Sequence, residues 1–244
     1  MVKRLLVFIF GVAVYLLFLF TILYGIGFVG NMLVPKDIDG GTPSPLVVAL
    51  PINLSLIAIF GVQHSVMARS AFKKWWLRLI PEPIERSMFV LGASLSLLLL
   101  FWQWRPLTGY VWNFPAGLMN VVLMSLFWIG WLGVVLSTFL INHFDLFGLR
   151  QVYLYLRGID YTPIPFKQAS LYKYVRHPLM LALLIAFWAT PQMSVGHLLI
   201  AAGMTAVIVI GIAFEERDLL RRYGEPYEQY RKQVSMLIPL PRKK

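Results

Sequence analysis

The chain has 244 residues, of which 59% are hydrophobic and 14% are charged, and its mean hydropathy is +0.71. Soluble domains carry about 25% charged residues, so this composition excludes an ordinary soluble domain and indicates an integral membrane protein. The formal net charge of +11 could suggest nucleic-acid binding, but the positions of the basic residues argue against it, and the absence of cysteine excludes disulfides, thiolate metal ligands and a cysteine nucleophile.

Intervals without a charged residue follow one another along the chain, at 5–35, 40–68, 87–104, 106–144 and 177–214. A membrane-spanning helix needs about 20 residues, so each of the first four intervals predicts one span. The first interval begins like a signal peptide, but its apolar run is too long and shows no clear small-residue cleavage site. We therefore expect it to be a retained helix.

The last interval is too long for one span and contains Pro191 near its middle. A straight helix of that length would exceed the bilayer about twofold, and proline interrupts the helical hydrogen-bond ladder. The sequence therefore predicts a helical hairpin with arms at about 178–190 and 194–214, of which the first is short and could be re-entrant. The predicted fold is an all-α polytopic membrane helical bundle with five to six transmembrane segments.

All Lys and Arg residues except Lys36 and Arg105 lie in the segments 1–4, 69–86, 145–176 and 215–244. With the N-terminus inside, all four segments face the cytoplasm, as the positive-inside rule requires. Both termini are then cytoplasmic in an inner-membrane protein, which requires six crossings, or four and a re-entrant pair. The positive charge therefore reflects topology and contact with lipid headgroups, and nucleic acid is not an expected partner.

The segment Gly25-Ile26-Gly27-Phe28-Val29-Gly30 matches the dinucleotide fingerprint G-x-G-x-x-G. That motif binds a pyrophosphate only where it follows a strand and opens a helix. Here it lies inside an apolar span with no βαβ unit near it, so we interpret the glycines as a site of close helix packing.

Charged residues mark both ends of the predicted hairpin. Arg176 and His177 precede Pro178, which favours the first turn of a helix, where free N–H groups and a partial positive charge suit a carboxylate. Glu215 and Glu216 follow the second arm on the same face, and they could hold an ammonium, a sulfonium or ribose hydroxyls.

Two tyrosines follow the acidic pair. Tyr227 and Tyr230 are three residues apart, so on a helix they share a face and could cover an adenine or a cation. S-adenosylmethionine carries all the matching groups. A structural ion pair, a helix cap and an interfacial belt of tyrosines are the simpler explanations of the same residues.

The run from Tyr174 to Pro178, the hairpin, Glu-Glu-x-x-Leu and Tyr-Gly-x-x-Tyr-x-x-Tyr together resemble the C-terminal core of isoprenylcysteine carboxyl methyltransferases and phospholipid N-methyltransferases, over about 171–235. The resemblance implies an S-adenosylmethionine site without a Rossmann domain. Its implied cofactor-binding residues are Tyr174, Arg176, His177, Pro178, Glu215, Glu216, Tyr227 and Tyr230.

Two further segments, GVQHSVMAR at 61–69 and INHFDLFGLRQ at 141–151, resemble the bacterial methanethiol S-methyltransferases, so that the resemblance covers nearly the whole chain. NnrU-like membrane proteins share part of the pattern. The resemblance implies a single domain over 1–244 with its cofactor-binding core at 142–244, and transfer of the cofactor's methyl group to the small thiol methanethiol, giving dimethyl sulfide.

A thiol is mostly protonated near neutral pH, so a base is useful in such a reaction. The candidate catalytic residues are His64, His143 and Asp145, each at or just beyond the inner end of a span, together with Arg150, which could pair with Asp145. His143 and Asp145 are two residues apart and cannot share a helical face, and His64 could simply be a hydrogen-bonded helix-end residue. We expect no metal site, because no spacing of His, Asp and Glu suggests one.

Other functions remain open from the sequence. A methyltransferase of the isoprenylcysteine carboxyl or phospholipid N type would differ only in its acceptor, and a sterol-reductase-like enzyme would use NADPH with a similar C-terminal core. A transporter or a non-catalytic membrane component is a third alternative, although the spans lack the mid-membrane charges of an ion pathway.

Overall fold

The computed structural model describes residues 1–164 and 170–239. Its elements are, in order, α1 (Val2–Gly30), α2 (Leu46–Met67), α3 (Ser70–Trp76), α4 (Glu85–Gln103), β1 (Tyr110–Asn113), α5 (Leu118–Ile141), α6 (His143–Leu146), α7 (Leu149–Arg157), α8 (Pro178–Trp188), β2 (Gln192–Ser194), α9 (Val195–Tyr223) and α10 (Glu225–Gln233), with 3-10 turns at Glu82–Ile84 and Ser170–Lys173. The predicted all-α class is confirmed, because the described part of the chain is mostly helical and its two strands form one short antiparallel ribbon.

Five of the described helical segments are long and apolar enough to cross a membrane: Val2–Gly30, Leu46–Met67, Glu82–Gln103, Leu118–Ile141 and Val195–Tyr223. Helices suit this environment because they satisfy every backbone hydrogen bond internally. The chain is therefore a multi-pass membrane protein with an all-α polytopic bundle, as its apolar intervals predict. Its contacts divide it into two compact units, which are described in turn: one of residues 1–109 and 142–164, the other of residues 110–141 and 165–244.

The first unit is built on α1, with α4 and α7 packed against it and α2 packed against α4. Its buried cluster is Val14, Phe89 and Val90. Gly11 lets α7 approach α1 closely, because a Cβ atom there would lie 2.5 Å from a methyl carbon of Val152.

The glycine motif of α1 has the packing role that its apolar context predicts. A Cβ atom on Gly25 would lie 3.2 Å from the Phe101 ring, and one on Gly27 would lie 2.5 Å from the carbonyl oxygen of Met32. These close approaches leave no room for side chains, and the motif lies inside one continuous helix rather than at a strand-to-helix turn.

The second unit contains the predicted hairpin, and its first arm packs along α5 in the antiparallel sense. A Cβ atom on Gly130 would lie 2.6 Å from the backbone nitrogen of Ala186, whereas one on Gly133 would lie 3.1 Å from Ala182. Helix α8 has 11 residues, so it measures about 17 Å and is too short to cross a bilayer of about 30 Å by itself. Extended residues 189–194 continue it, and β2 pairs with β1, which precedes α5.

The second arm is longer than predicted, since α9 continues nine residues past 214, to Tyr223. The added segment, EERDLLRRY, is rich in strong helix formers, so the helix persists after the apolar run ends. It stops at Gly224, whose φ of +60° favours glycine. Glu215 and Glu216 therefore lie on a helix and not in the connection that follows it. Residues 165–169 of the predicted inner loop, and 240–244 of the last basic segment, lie outside the described residues.

Candidate active site

The start of α8 is fixed by the C-terminal segment of the chain. The backbone N–H of Arg176 donates to the carbonyl of Ser235 at 2.8 Å, and that of His177 donates to the carbonyl of Met236 at 3.2 Å. Pro178 occupies the first turn of α8, where its missing N–H is not needed. The short parallel pairing thus holds Arg176 and His177 in a defined register at the helix N-terminus.

Arg176 is buried, with 7% of its surface exposed, and its guanidinium is bound on three sides. Nε donates to Oε1 of Glu216 at 2.8 Å and Nη2 lies 2.7 Å from the same oxygen. Nη1 donates to the carbonyls of Arg231 at 2.9 Å and Val234 at 2.5 Å. The predicted proximity of the cationic helix start to the acidic end of the hairpin is therefore present, as a direct ion pair.

His177 lies against both acidic residues of α9. Its Nε2 is 3.2 Å from Oε1 of Glu216, and its Nδ1 is 3.7 Å from Oε2 of Glu215. The two carboxylates differ in exposure, because the side chain of Glu216 is 12% exposed and that of Glu215 is 48% exposed. Glu216 is thus enclosed by the basic pair, whereas Glu215 presents its carboxylate outward.

Tyr227 and Tyr230 pack together on α10, with ring centroids 5.9 Å apart, and both are almost fully buried. The hydroxyl of Tyr230 donates to the carbonyl of Tyr172 at 2.7 Å. Burial raises the pKa of Tyr230 to about 12, against the opposing effect of Arg176. Burial and the Glu216 carboxylate also raise the pKa of Tyr227. Both phenols are therefore neutral at physiological pH and can donate hydrogen bonds beside the ion pair.

The remaining tyrosines of the motif have different environments. Tyr174, a predicted cofactor-binding residue, is 68% exposed, so it does not join the buried cluster. Tyr172, which sequence analysis missed, is half-buried, and burial followed by the Glu215 carboxylate raises its pKa. The only sequence signal for Tyr172 was its place two residues before Tyr174.

In the first unit, His143 is buried and its Nε2 lies 2.7 Å from the hydroxyl of Tyr15 on α1. Burial lowers the pKa of His143, so its ring is neutral at pH 7. Tyr15 could not be predicted from the sequence, because nothing in an apolar span marks a tyrosine as the partner of a residue 128 positions later.

Asp145 has other partners than His143. Nη1 of Arg150 donates to Oδ1 of Asp145 at 2.9 Å, the predicted pairing, and the Tyr161 hydroxyl donates to Oδ2 at 3.3 Å. Arg150 also donates to the carbonyl of Thr162 at 2.9 Å. This network fixes the chain that follows α7. His143 and Asp145, the two candidate catalytic residues on α6, therefore contact different groups.

His64 lies near the end of α2, packed beside the rings of Phe60 at 5.4 Å and Phe89 at 5.0 Å. Its Nδ1 is buried without a hydrogen-bond partner in the described part of the chain, so the simple explanation as a hydrogen-bonded helix-end residue does not hold for that nitrogen. Within residues 1–164 and 170–239, no three His, Asp or Glu side chains gather as a metal site would require.

Comparison with known proteins gives relatives over nearly the full length. A methanethiol S-methyltransferase of Mycobacterium tuberculosis is 54% identical over 241 residues, which are 98% of this chain and 98% of that protein. Methanethiol S-methyltransferase 1 of Bradyrhizobium diazoefficiens is 55% identical over 95% of this chain and 81% of that protein.

A more distant similarity connects the chain to Nurim of Xenopus laevis, which is 31% identical over 68% of this chain and 61% of that protein. No family model and no solved structure matches the chain. Identity above 50% over at least 95% of this chain is nevertheless decisive, and the chain belongs to the methanethiol S-methyltransferase family.

Proposed function

We propose that this protein is a membrane enzyme that transfers a methyl group from S-adenosylmethionine to methanethiol, giving dimethyl sulfide. The observation that carries the proposal is the buried Arg176–Glu216–His177 cluster at the start of α8, in a chain whose relatives are named for this activity. Those names favour a thiol over a lipid amine or a prenylated cysteine as the acceptor.

The polar and aromatic groups of the second unit suit the chemical groups of S-adenosylmethionine. The first-turn N–H groups of α8 lack intrahelical partners and suit the carboxylate of the methionine moiety. Glu215, half exposed beside His177, suits the ammonium or the ribose hydroxyls. Tyr227 and Tyr230 suit the adenine or the sulfonium as neutral aromatic rings. When bound, S-adenosylmethionine supplies an electrophilic methyl group on a sulfonium sulfur.

In our proposal Arg176 does not contact the cofactor but positions the residues that do. Its Nε, Nη1 and Nη2 atoms all bind Glu216 or backbone carbonyls, so the guanidinium orients Glu216 and the C-terminal segment. The predicted ion pair and the predicted cofactor site are thus compatible, because the pair fixes the groups that surround the ligand.

The acceptor must lose a proton, because a free thiol is mostly protonated at pH 7. We assign that proton to His143, which burial keeps neutral and therefore basic at this pH. Asp145 is a poorer candidate, because Arg150 and Tyr161 already occupy its two oxygens.

The clustering of basic residues in four segments supports a cytoplasmic-side site in the inner membrane, with both termini cytoplasmic, as part of this proposal. Five long helices alone would put the termini on opposite sides. The segment 178–194, as a short helix along α5 followed by a strand that pairs with β1, supplies the sixth crossing in this proposal.

The test is methyl transfer by purified protein in lipid nanodiscs, supplied with methyl-labelled S-adenosylmethionine and methanethiol, with labelled dimethyl sulfide measured in the headspace. We expect labelled product from the natural protein and a loss of at least tenfold in Glu215→Ala and His177→Ala. Full turnover in both variants would remove the site assignment, and binding of NADPH in place of S-adenosylmethionine would favour a reductase.

A further inference from the structure

The contact between Tyr15 and His143 joins two distant parts of the sequence through one short hydrogen bond. The Tyr15 hydroxyl lies 2.7 Å from Nε2 of His143, which is the usual length for a strong bond from a hydroxyl. Tyr15 is half-buried and His143 is buried, so little water competes for this bond.

Aromatic rings enclose the pair. The His143 ring lies 4.9 Å from Phe147 and 5.4 Å from Phe144, and the Tyr15 ring lies 6.2 Å from Phe18. Phe18 and Phe147 stack on each other at 3.9 Å. These rings are apolar, so the surroundings of the pair suit a small apolar thiol better than a charged or sugar-bearing acceptor.

Charged groups near the pair are engaged elsewhere. Asp145 on α6 and Arg150 on α7 bind each other at 2.9 Å, and Arg86 on α4 donates to the carbonyl of Leu146 at 2.6 Å. Burial is the cause that lowers the pKa of His143, rather than a neighbouring charge. In the tautomer that carries its proton on Nδ1, the neutral ring can accept a proton at Nε2, and the Tyr15 hydroxyl 2.7 Å away is then its donor.

We infer that Tyr15 is a catalytic residue that relays the acceptor's proton to His143, an inference that rests on the proposed function. The thiol S–H bond breaks as its proton passes to the Tyr15 oxygen, and the Tyr15 O–H bond breaks as that proton passes to Nε2 of His143. The products are a thiolate, an unchanged tyrosine and a protonated imidazole. The thiolate is the nucleophile that the proposed methyl transfer requires, in which the methyl–sulfonium bond of the donor would break and leave S-adenosylhomocysteine, and His143 later returns its proton to water.

The relay makes the acceptor's ionisation depend on a hydroxyl group that phenylalanine lacks. Tyr15→Phe removes the oxygen and keeps the ring among Phe18 and Phe147, so packing changes little. The matched control is Tyr24→Phe on the same helix, which removes a hydroxyl that donates to the carbonyl of Lys36 at 3.1 Å.

The experiment measures kcat/KM for methanethiol across pH 6–10 in nanodiscs, with S-adenosylmethionine affinity measured on the same samples. Positioned proton transfer contributes about 10²–10⁴-fold, so we expect Tyr15→Phe to lose about 100-fold at pH 7. The loss should shrink towards pH 10, because the thiol then ionises without help. Tyr24→Phe should stay within about twofold of the natural protein, since no relay is assigned to it.

His143→Gln provides a second measurement. It should show the same pH-dependent loss, and the double variant should lose no more than either single variant, because residues that act as one unit are not additive. Natural-level turnover in Tyr15→Phe, or an equal loss at every pH with intact donor affinity, would overturn the relay alone. A natural protein that makes no labelled dimethyl sulfide would instead overturn the proposed function.

Discussion

Replacing Glu216 with glutamine tests the buried ion pair most severely. One oxygen of Glu216 accepts from Arg176 at 2.7–2.8 Å and lies 3.2 Å from His177. The Arg176 side chain is only 5% exposed, so the variant leaves a buried cation without its counter-charge.

The expected loss follows from this environment. Breaking a buried pair by removing one partner costs about 3–5 kcal/mol. Glutamine keeps one acceptor oxygen, and Arg176 keeps the carbonyls of Arg231 and Val234, so we expect a loss below that range, about 2–3 kcal/mol. If the pair shapes the donor site, this corresponds to about 30- to 150-fold weaker binding of S-adenosylmethionine.

The assay is isothermal titration of S-adenosylmethionine into purified protein, with thermal unfolding measured in parallel. Glu228→Gln is the matched control, because Glu228 pairs with Lys232 at 3.3 Å on an exposed helical face. Exposed pairs of this kind contribute about 0.3–0.5 kcal/mol, so the control should change affinity less than about twofold. Natural affinity in Glu216→Gln would refute the assignment of the pair to the donor site.

Three further predictions concern packing, the tyrosines and pH. Gly130→Ala should destabilise the protein by about 1–3 kcal/mol, because its new methyl group would contact the α8 backbone. Gly211→Ala should stabilise it by about 0.5–1 kcal/mol, because no atom lies within 4 Å of the new methyl group and alanine favours a helix more than glycine does. Thermal unfolding of both variants in detergent measures the difference. Tyr230→Phe should cost about 1 kcal/mol of stability through the lost hydrogen bond to Tyr172, and an unchanged melting temperature would contradict this. Because burial lowers the pKa of His143, kcat/KM should stay constant as the pH is lowered from 7 to about 6.5 and should fall only below that value. A fall centred above pH 6.5 would contradict the role of His143 as a neutral buried base.

Sequence alone was enough to predict the spans, because charged residues are rare and flank each apolar interval on both sides. The same scarcity made Arg176, His177, Glu215 and Glu216 conspicuous, and helix geometry was enough to bring the two ends of a hairpin together. The helical end of α9 was missed because apolar character, and not helix propensity, set the predicted boundary at 214.

Long-range partners were not predictable from the pattern. Arg176 binds the carbonyls of Arg231 and Val234, and backbone acceptors leave no mark in a sequence. Tyr15 binds His143 through the packing of α1, which a single apolar span does not reveal. Side-chain roles that depend on tertiary contacts therefore came only from the structure.

The central claim, that the second unit holds the methyl donor, is tested most directly by photolabelling. Purified protein would be irradiated with radiolabelled S-adenosylmethionine, and the labelled peptides identified by mass spectrometry. We predict label within residues 170–239, concentrated near Tyr227 and Tyr230 and displaced by excess unlabelled donor. Displaceable label confined to the first span, around the glycines at 25–30, would contradict the account.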